Sequence, residues 1–291
     1  MTGAMEAARL TQVDLGDHAC LTFTDAEERL DLLAAFVRDG LRAGQRVLCW
    51  TDQLPPAALA AEFSARHVRG AAAGRRGQLT IASVEAALLG GRGSAAAMVE
   101  AVAAEVDEAA RQGYTGLRLT ADMSWATRPA GAEQLLGFET EMADLFSDGR
   151  LSLICQYDRD RFDAVTLAFA ATAHTKTVAA QVYHDGPLLR ICRQYSPTGV
   201  RVAGELDFRH QAVLEKALAE SRRLDRHMSV NLSALSYIDA ACATAIVQAA
   251  MRLPASRRMT VTCQGLVAKM LDLVGGRDTP RLRVVPGDDQ R

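Results

Sequence analysis

Six cysteines and six histidines are the residues of this 291-residue chain best suited to chemistry, and their spacing limits what they can do. Cys20, Cys49, Cys155, Cys192, Cys242 and Cys263 are scattered, mostly inside apolar runs, with no Cys-x-x-Cys pair and no regular interval. Reduced, largely buried thiols follow from that pattern. The run His18-Ala19-Cys20 puts an imidazole and a thiol on one face of a strand, and Cys155 lies in another apolar run. Three donors of this softness could take a transition metal. With no close-spaced second pair, the expectation is instead a partly buried histidine beside two packed thiols, with no metal and no cofactor. An enzyme with Cys20 or Cys155 as nucleophile and His18 as base would need thiol and imidazole within hydrogen-bond reach in a cleft. His18 and Cys20 merely share a strand face, so the chain is not expected to be an enzyme.

Other polar residues in apolar surroundings carry expectations of their own. Arg118, on an apolar strand, must be paired if buried, with Asp122 or Glu139 as partner. Trp125 and Tyr157 either wall an apolar ligand or are simply core. His174 ends a helix, where it reports to the following segment or acts as a cap. A nucleotide-hydrolysing site would need a Gly-rich loop with Lys and Ser or Thr opening the helix after the first strand. After Phe23 the chain reads Thr-Asp-Ala-Glu-Glu, which repels phosphate, and Gly90-Gly-Arg-Gly93 lacks the Lys-Ser/Thr partner. ATP hydrolysis is not expected.

The elements that must position these residues alternate in type. Strands are predicted at His18 to Phe23, Val47 to Thr51, Leu79 to Ala82, Leu117 to Ala121 and Leu151 to Tyr157. Helices are predicted from a Thr24 cap to Gly40 and Gly44, then over Pro55 to His67, Ser94 to Gln112, Gly131 to Phe146 and Ala164 to Ala173. The pattern is that of an α/β, mainly parallel sheet covered by helices. Ligands of such sheets bind at the carboxyl ends of strands, here near Thr22, Phe23, Thr51, Asp122 to Trp125 and Tyr157. Residues 175–196 read as a junction, with Val178 to Tyr183 and Leu188 to Cys192 extended about the turn His184-Asp185-Gly186-Pro187. A second pattern follows: strands Val200 to Gly204, Met228 to Leu232 and Met259 to Cys263, with helices Arg209 to Arg222, Asp239 to Arg252 and Leu266 to Val274.

Apolar residues at 49%, charged ones at 23%, and 33 basic against 35 acidic side chains describe a folded protein near neutrality. No field points to nucleic acid. No leader or apolar run long enough for a bilayer is seen, so the expectation is a cytoplasmic protein without membrane contact.

Gly16-Asp-His-Ala-Cys20, the run Glu28 to Leu48, Gly113-Tyr-Thr-Gly-Leu-Arg118, Asp122-Met-Ser-Trp125 and Cys155-Gln-Tyr-Asp158 stand in an order and spacing that resembles the MEDS family, over residues 13–174. The resemblance implies a RecA-like α/β sensor of small ligands, with hydrocarbon derivatives proposed as signals and His174 matching a family position. His18, Cys20, Arg118, Asp122, Trp125, Glu139, Cys155, Tyr157 and His174 are the expected ligand-binding residues.

Gly204-Glu-Leu-Asp207, then Asn231-Leu-Ser-Ala-Leu-Ser-Tyr-Ile-Asp239 and Leu271-Asp-Leu-Val-Gly275, resemble the STAS domain of anti-sigma factor antagonists, over residues 197–288. In that family the loop after the second Asp reads Ser-Ser-Gly or Ser-Thr-Gly, and a partner kinase phosphorylates the second hydroxyl. Here it reads Asp239-Ala240-Ala241-Cys242, and Ala241 has no oxygen to accept phosphate. The family switch, in which added charge breaks docking, is absent. The resemblance implies a kinase-type anti-sigma partner meeting Asp207, Asp239, Ala240, Ala241 and Cys242, with control coming from the first domain. Ser233, Ser236 and Thr244 are poorly placed substitute phosphosites. Cys242 at a helix start is either a redox reporter or a small buried residue replacing Gly. Exposed sheet edges would be covered in a homodimer.

Overall fold

The computed structural model describes residues 13–90, 94–129 and 131–287. Part of the Gly90 to Gly93 stretch and residue 288 lie outside the described residues. The chain divides into two compact units between Ala179 and Ala180.

The first unit runs β1 (His18–Phe23), α1 (Ala26–Arg42), β2 (Arg46–Thr51), α2 (Pro56–Ala65), α3 (Gly70–Arg75), β3 (Leu79–Ser83), α4 (Ala95–Arg111), β4 (Leu117–Asp122), α5 (Gly131–Glu141), β5 (Leu151–Asp158), α6 (Ala164–Ala173) and β6 (Lys176–Thr177). Its six strands form one parallel sheet in the order β3-β2-β4-β5-β1-β6. β4 is buried along its whole length and β5 in all but its last residue, as a sheet covered on both faces requires.

The second unit contains β7 (Val182–Asp185), β8 (Leu189–Tyr195), β9 (Thr198–Leu206), α7 (Gln211–Leu224), β10 (Met228–Asn231), β11 (Leu235–Ile238), α8 (Ala240–Met251), β12 (Met259–Cys263), α9 (Gly265–Leu273) and β13 (Leu282–Pro286). The order is β13-β12-β10-β9-β8-β7, with β11 beside β9. The β7-β8-β9 ribbon is antiparallel and the remaining pairs are parallel. Leu214 and Leu218 of α7, Ile246 of α8 and Leu271 of α9 pack with Val200, Val230 and Val261 into one core.

Several expectations are corrected. Residues 175–196 are not a connector: β6 extends the first sheet, while β7 and β8 form a hairpin of the second, closed by Gly186 N donating to Leu189 O at 2.9 Å. Asp25, not Thr24, caps α1, its Oδ1 accepting from the amides of Glu27 and Glu28 at 2.8 and 3.0 Å. Two acceptor oxygens and a full charge suit a helix start better than one hydroxyl. Gly40 does not end α1. It lies inside the helix where a Cβ would stand 2.6 Å from Arg118 Cδ, and it is Gly44, at φ +72°, that turns the chain out. The helix at Gly131 tightens to a 3-10 turn over Met142–Phe146. Among the described residues no helix is long and apolar enough to cross a membrane.

Candidate functional site

Alternation along the strands sorts the first unit's polar residues onto two faces. β1 and β5 pair in register, with Cys20 opposite Cys155 and Thr22 opposite Tyr157. His18, Cys20, Cys155 and Tyr157 therefore share the face covered by α4 and α5, while Arg118, Thr120, Asp122 and Gln156 point to the side of α1. The residues expected to line one ligand site do not form one site. They belong to two buried networks, one on each face.

On the α5 face the centre is Glu139. It rides the apolar stripe Leu135, Phe138 and Met142 of its helix and is 2% exposed. Tyr157 Oη donates to Glu139 Oε1 at 2.5 Å. The other oxygen, Oε2, lies 3.2 Å from His18 Nε2 and 3.4 Å from His174 Nε2. Cys155 Sγ is 3.5 Å from His18 Nε2. His174 Nδ1 is 2.6 Å from the carbonyl of Ala170; a carbonyl only accepts, so Nδ1 carries the hydrogen and Nε2 presents its lone pair. The His18 ring stacks on Phe146 at 4.6 Å and lies 4.0 Å from that of His174.

Burial pushes the Glu139 carboxyl up, but His174, His18 and the Tyr157 hydroxyl outweigh it and bring it down to about 2. Burial takes His174 down to about 4 against the pull of Glu139, so the ring is neutral near pH 7. Burial first, then the Glu139 charge, pushes the Cys155 thiol well up. Cys20, 3.6 Å from Thr177 Oγ1, is also raised by burial. The Cys-His pair that a nucleophilic enzyme would need thus exists at Cys155 and His18, but in a closed interior with the thiol held protonated. The quartet His18, Glu139, Cys155 and His174 brings four possible ligand atoms within 4.8 Å of one another. The sequence places Glu139 among the expected ligand-binding residues and as a partner for Arg118, but not at the centre of a His-Cys cluster. The signal that could have found it was a carboxylate on an apolar helical stripe.

On the α1 face, Arg29 Nη2 donates to Asp122 Oδ2 at 2.8 Å and Nε to Gln156 Oε1 at 2.6 Å. Gln53 joins through its amide to Asp122 and through its side chain to Ser124 Oγ, at 3.2 and 2.6 Å. Arg29, Gln53 and Gln156 were not foreseen. Arg118 pairs with neither Asp122 nor Glu139. It starts β4 where Asp122 ends it, and instead donates to Gln45 Oε1 at 2.7 Å and to Phe36 O at 3.1 Å, its guanidinium 4.5 Å from the Phe36 ring. Trp125 and Tyr157 are both core residues, and the edge contacts of Tyr157 are to Phe162 and His174. At the start of α1 the amides that would meet a phosphate are held by Asp25.

A family model described as MEDS, the MEthanogen/methylotroph, DcmR Sensory domain, matches residues 17–175, more than half of the chain. The chain belongs to the MEDS family. No curated protein matches it. Among solved structures, a KaiC-like protein from the hyperthermophilic archaeon Pyrococcus horikoshii is similar at 13% identity and TM-score 0.45, with 62% of this chain and 79% of that one covered. The flagellar accessory protein FlaH from Methanocaldococcus jannaschii is similar at 10% identity and TM-score 0.44, with 66% and 86% covered.

The MEDS match takes in both buried networks and ends at Thr175, just before β6. It gives the first unit a sensory role. Beyond it, in the second unit, Asp239 caps α8 by accepting from Cys242 N at 2.8 Å and also accepts from Phe208 N at 2.6 Å. Asp207 accepts from Arg209 N at 3.0 Å. The two acidic residues thereby tie the loop after β9 to the start of α8. Ala240 is exposed and Ala241 half-buried. The Cys242 thiol is buried, donates to Asp207 O at 3.2 Å, and is pushed up to about 12 by burial and by Asp239, which suits a small buried residue better than a reactive thiol. The hydroxyls of Ser233, Ser236 and Thr244 are each bonded, to Asn231, Gly204 and Ala240.

Proposed function

We propose that this chain is a cytoplasmic signalling regulator whose MEDS domain, of RecA-like fold, controls a STAS-type second unit, and that the second unit docks a kinase-type anti-sigma factor without being phosphorylated at the usual position. The observation that carries the reading is the start of α8. Asp207 and Asp239 brace a loop surface on which Phe208, 68% exposed, and Tyr237, 53% exposed, flank Ala240 and Ala241. Exposed aromatics beside a rigid loop are the usual anchors of a protein interface. The hairpin followed by alternating strands and helices supports the STAS reading as well.

Because Ala241 offers no hydroxyl, charge-driven release of a partner is replaced by control from the sensory unit. No catalytic role is assigned to either unit. The carboxylate on the first helix start opposes phosphate binding, and the Cys155-His18 pair is sealed from substrate. The test is a capture from native cytoplasm with the full chain and with Ala241→Asp, identifying bound proteins by mass spectrometry. The reading expects a protein with a kinase-type anti-sigma domain on the full chain and its loss with Ala241→Asp, which restores a charge beside α8. Capture of such a protein by neither, or equally by both, would sink it.

A further inference from the structure

The α5-face quartet has features that a packed core does not need. His174 spends Nδ1 on the Ala170 carbonyl, which leaves Nε2 aimed at Glu139 Oε2, 3.4 Å away. Both atoms are fully buried; His174 Nε2 has no hydrogen-bond partner, and the donor nearest Glu139 Oε2 is His18 Nε2, 3.2 Å away and shared with Cys155 Sγ at 3.5 Å. Two electron-rich atoms turned toward one another in a dry interior repel unless something positive lies against both. His18 Nε2 and Cys155 Sγ complete the group.

We propose that His18 Nε2, Glu139 Oε2, Cys155 Sγ and His174 Nε2 form a four-coordinate site for a transition-metal dication of the zinc class. Zinc bonds of about 2.0–2.3 Å at tetrahedral angles put neighbouring donors about 3.3–3.8 Å apart. The three contacts of 3.2, 3.4 and 3.5 Å lie close to that spacing, and all four atoms fall within 4.8 Å, so the widest pairs would draw in by up to about 1 Å on binding. Two imidazoles, a thiolate and one carboxylate oxygen suit zinc or cobalt rather than calcium or magnesium, which require mostly oxygen.

The outer contacts are those of a metal centre. The Ala170 carbonyl fixes the tautomer of His174, and Tyr157 holds the second Glu139 oxygen at 2.5 Å. On binding, the metal–sulfur bond forms as the Cys155 proton leaves to solvent, so a dication, a thiolate and a carboxylate sum to no net charge in the interior. The ligands come from β1, α5, β5 and the end of α6, so the ion would fasten both ends of the sensory domain. Four protein donors leave no open position, which makes the site closed rather than hydrolytic. The proposal does not depend on the partner assigned to the second unit.

The test uses the full chain, stripped with chelator and titrated with Co2+ alone. The expected result is one equivalent bound, with the intense visible bands of tetrahedral cobalt and a sulfur-to-cobalt charge-transfer band, all discharged by Zn2+. Cys155→Ser should lose the charge-transfer band while Cys263→Ser, in the second unit, keeps it. Tyr157→Phe should weaken binding about 10- to 100-fold. Failure to bind one equivalent, a purely octahedral spectrum, or a charge-transfer band that survives Cys155→Ser overturns the proposal. If Cys155→Ser does not fold by circular dichroism, the stoichiometry and spectrum of the unaltered chain decide.

Discussion

Cys155 Sγ lies 3.5 Å from His18 Nε2 across the β5-β1 pair, and this contact sets the character of the sensory domain's interior. The thiol and the imidazole are within reach, yet both are buried, and the Glu139 carboxylate beside them opposes thiolate formation. A buried thiol held protonated is a poor nucleophile.

All six cysteines are buried. Ellman's reagent should therefore find no fast-reacting thiol in the native protein and six after unfolding. A single rapid equivalent assigned to Cys242 would revive the redox reading.

Tyr157→Phe removes the hydroxyl that donates to the Glu139 carboxylate at 2.5 Å. A hydrogen bond to a charged group is worth about 1.5–3 kcal/mol, and urea unfolding should show a loss of that size. An unchanged midpoint would mean that the carboxylate is held without the phenol.

Asp122 is held below the ordinary carboxylate range: burial opposes this, but Arg29, Ser124 and the Gln53 amide prevail. A lowered folded value means that its contribution is complete above the unfolded value of about 3.9 and is lost as pH falls through the folded value. The stability gap between the unaltered chain and Asp122→Asn should be constant near neutrality and shrink only below about pH 4. A gap that closes between pH 6 and 8 would contradict this.

Asp225 accepts from Arg193 Nη1 at 2.6 Å and from Ser221 Oγ at 2.5 Å in the second unit's interior. Asp225→Ala leaves the guanidinium buried and unpaired and should cost about 3–5 kcal/mol in denaturant unfolding. A cost under 1 kcal/mol would show that solvent reaches Arg193.

Gly204 sits at φ +100° with a would-be Cβ 2.0 Å from Leu188 O. Gly204→Ala combines backbone strain with a clash against main chain and should destabilise by about 3 kcal/mol or more, seen as a lower thermal midpoint. A tolerated alanine would mean that the hairpin shifts freely.

Much of this architecture is legible in the sequence. β1, β2 and β5 are mostly apolar runs, and α6 and β12 fall on their predicted residues, because local pattern dictates strands buried on both faces. The β7-β8 hairpin was missed as a domain element because its partner, β9, lies across the Ser196-Pro197 turn and no local signal assigns an extended run to one sheet or another. The site was half legible. His18, Cys20 and Cys155 stood out as donors, whereas Glu139 and His174 join them only through the packing of α5 and α6. Arg118 was given the wrong partners because its position at the start of β4, opposite Gln45 and Gly40, depends on how α1 crosses the sheet.

The claim that joins the two units is that the state of the sensory interior governs what the second unit binds. The most direct measurement is the affinity of the full chain for the captured kinase-type partner, compared between the unaltered protein and Glu139→Gln by calorimetry. The account predicts a change of about 5-fold or more, the lower end of allosteric coupling, with folding intact by circular dichroism. Equal affinities in two folded proteins would contradict it.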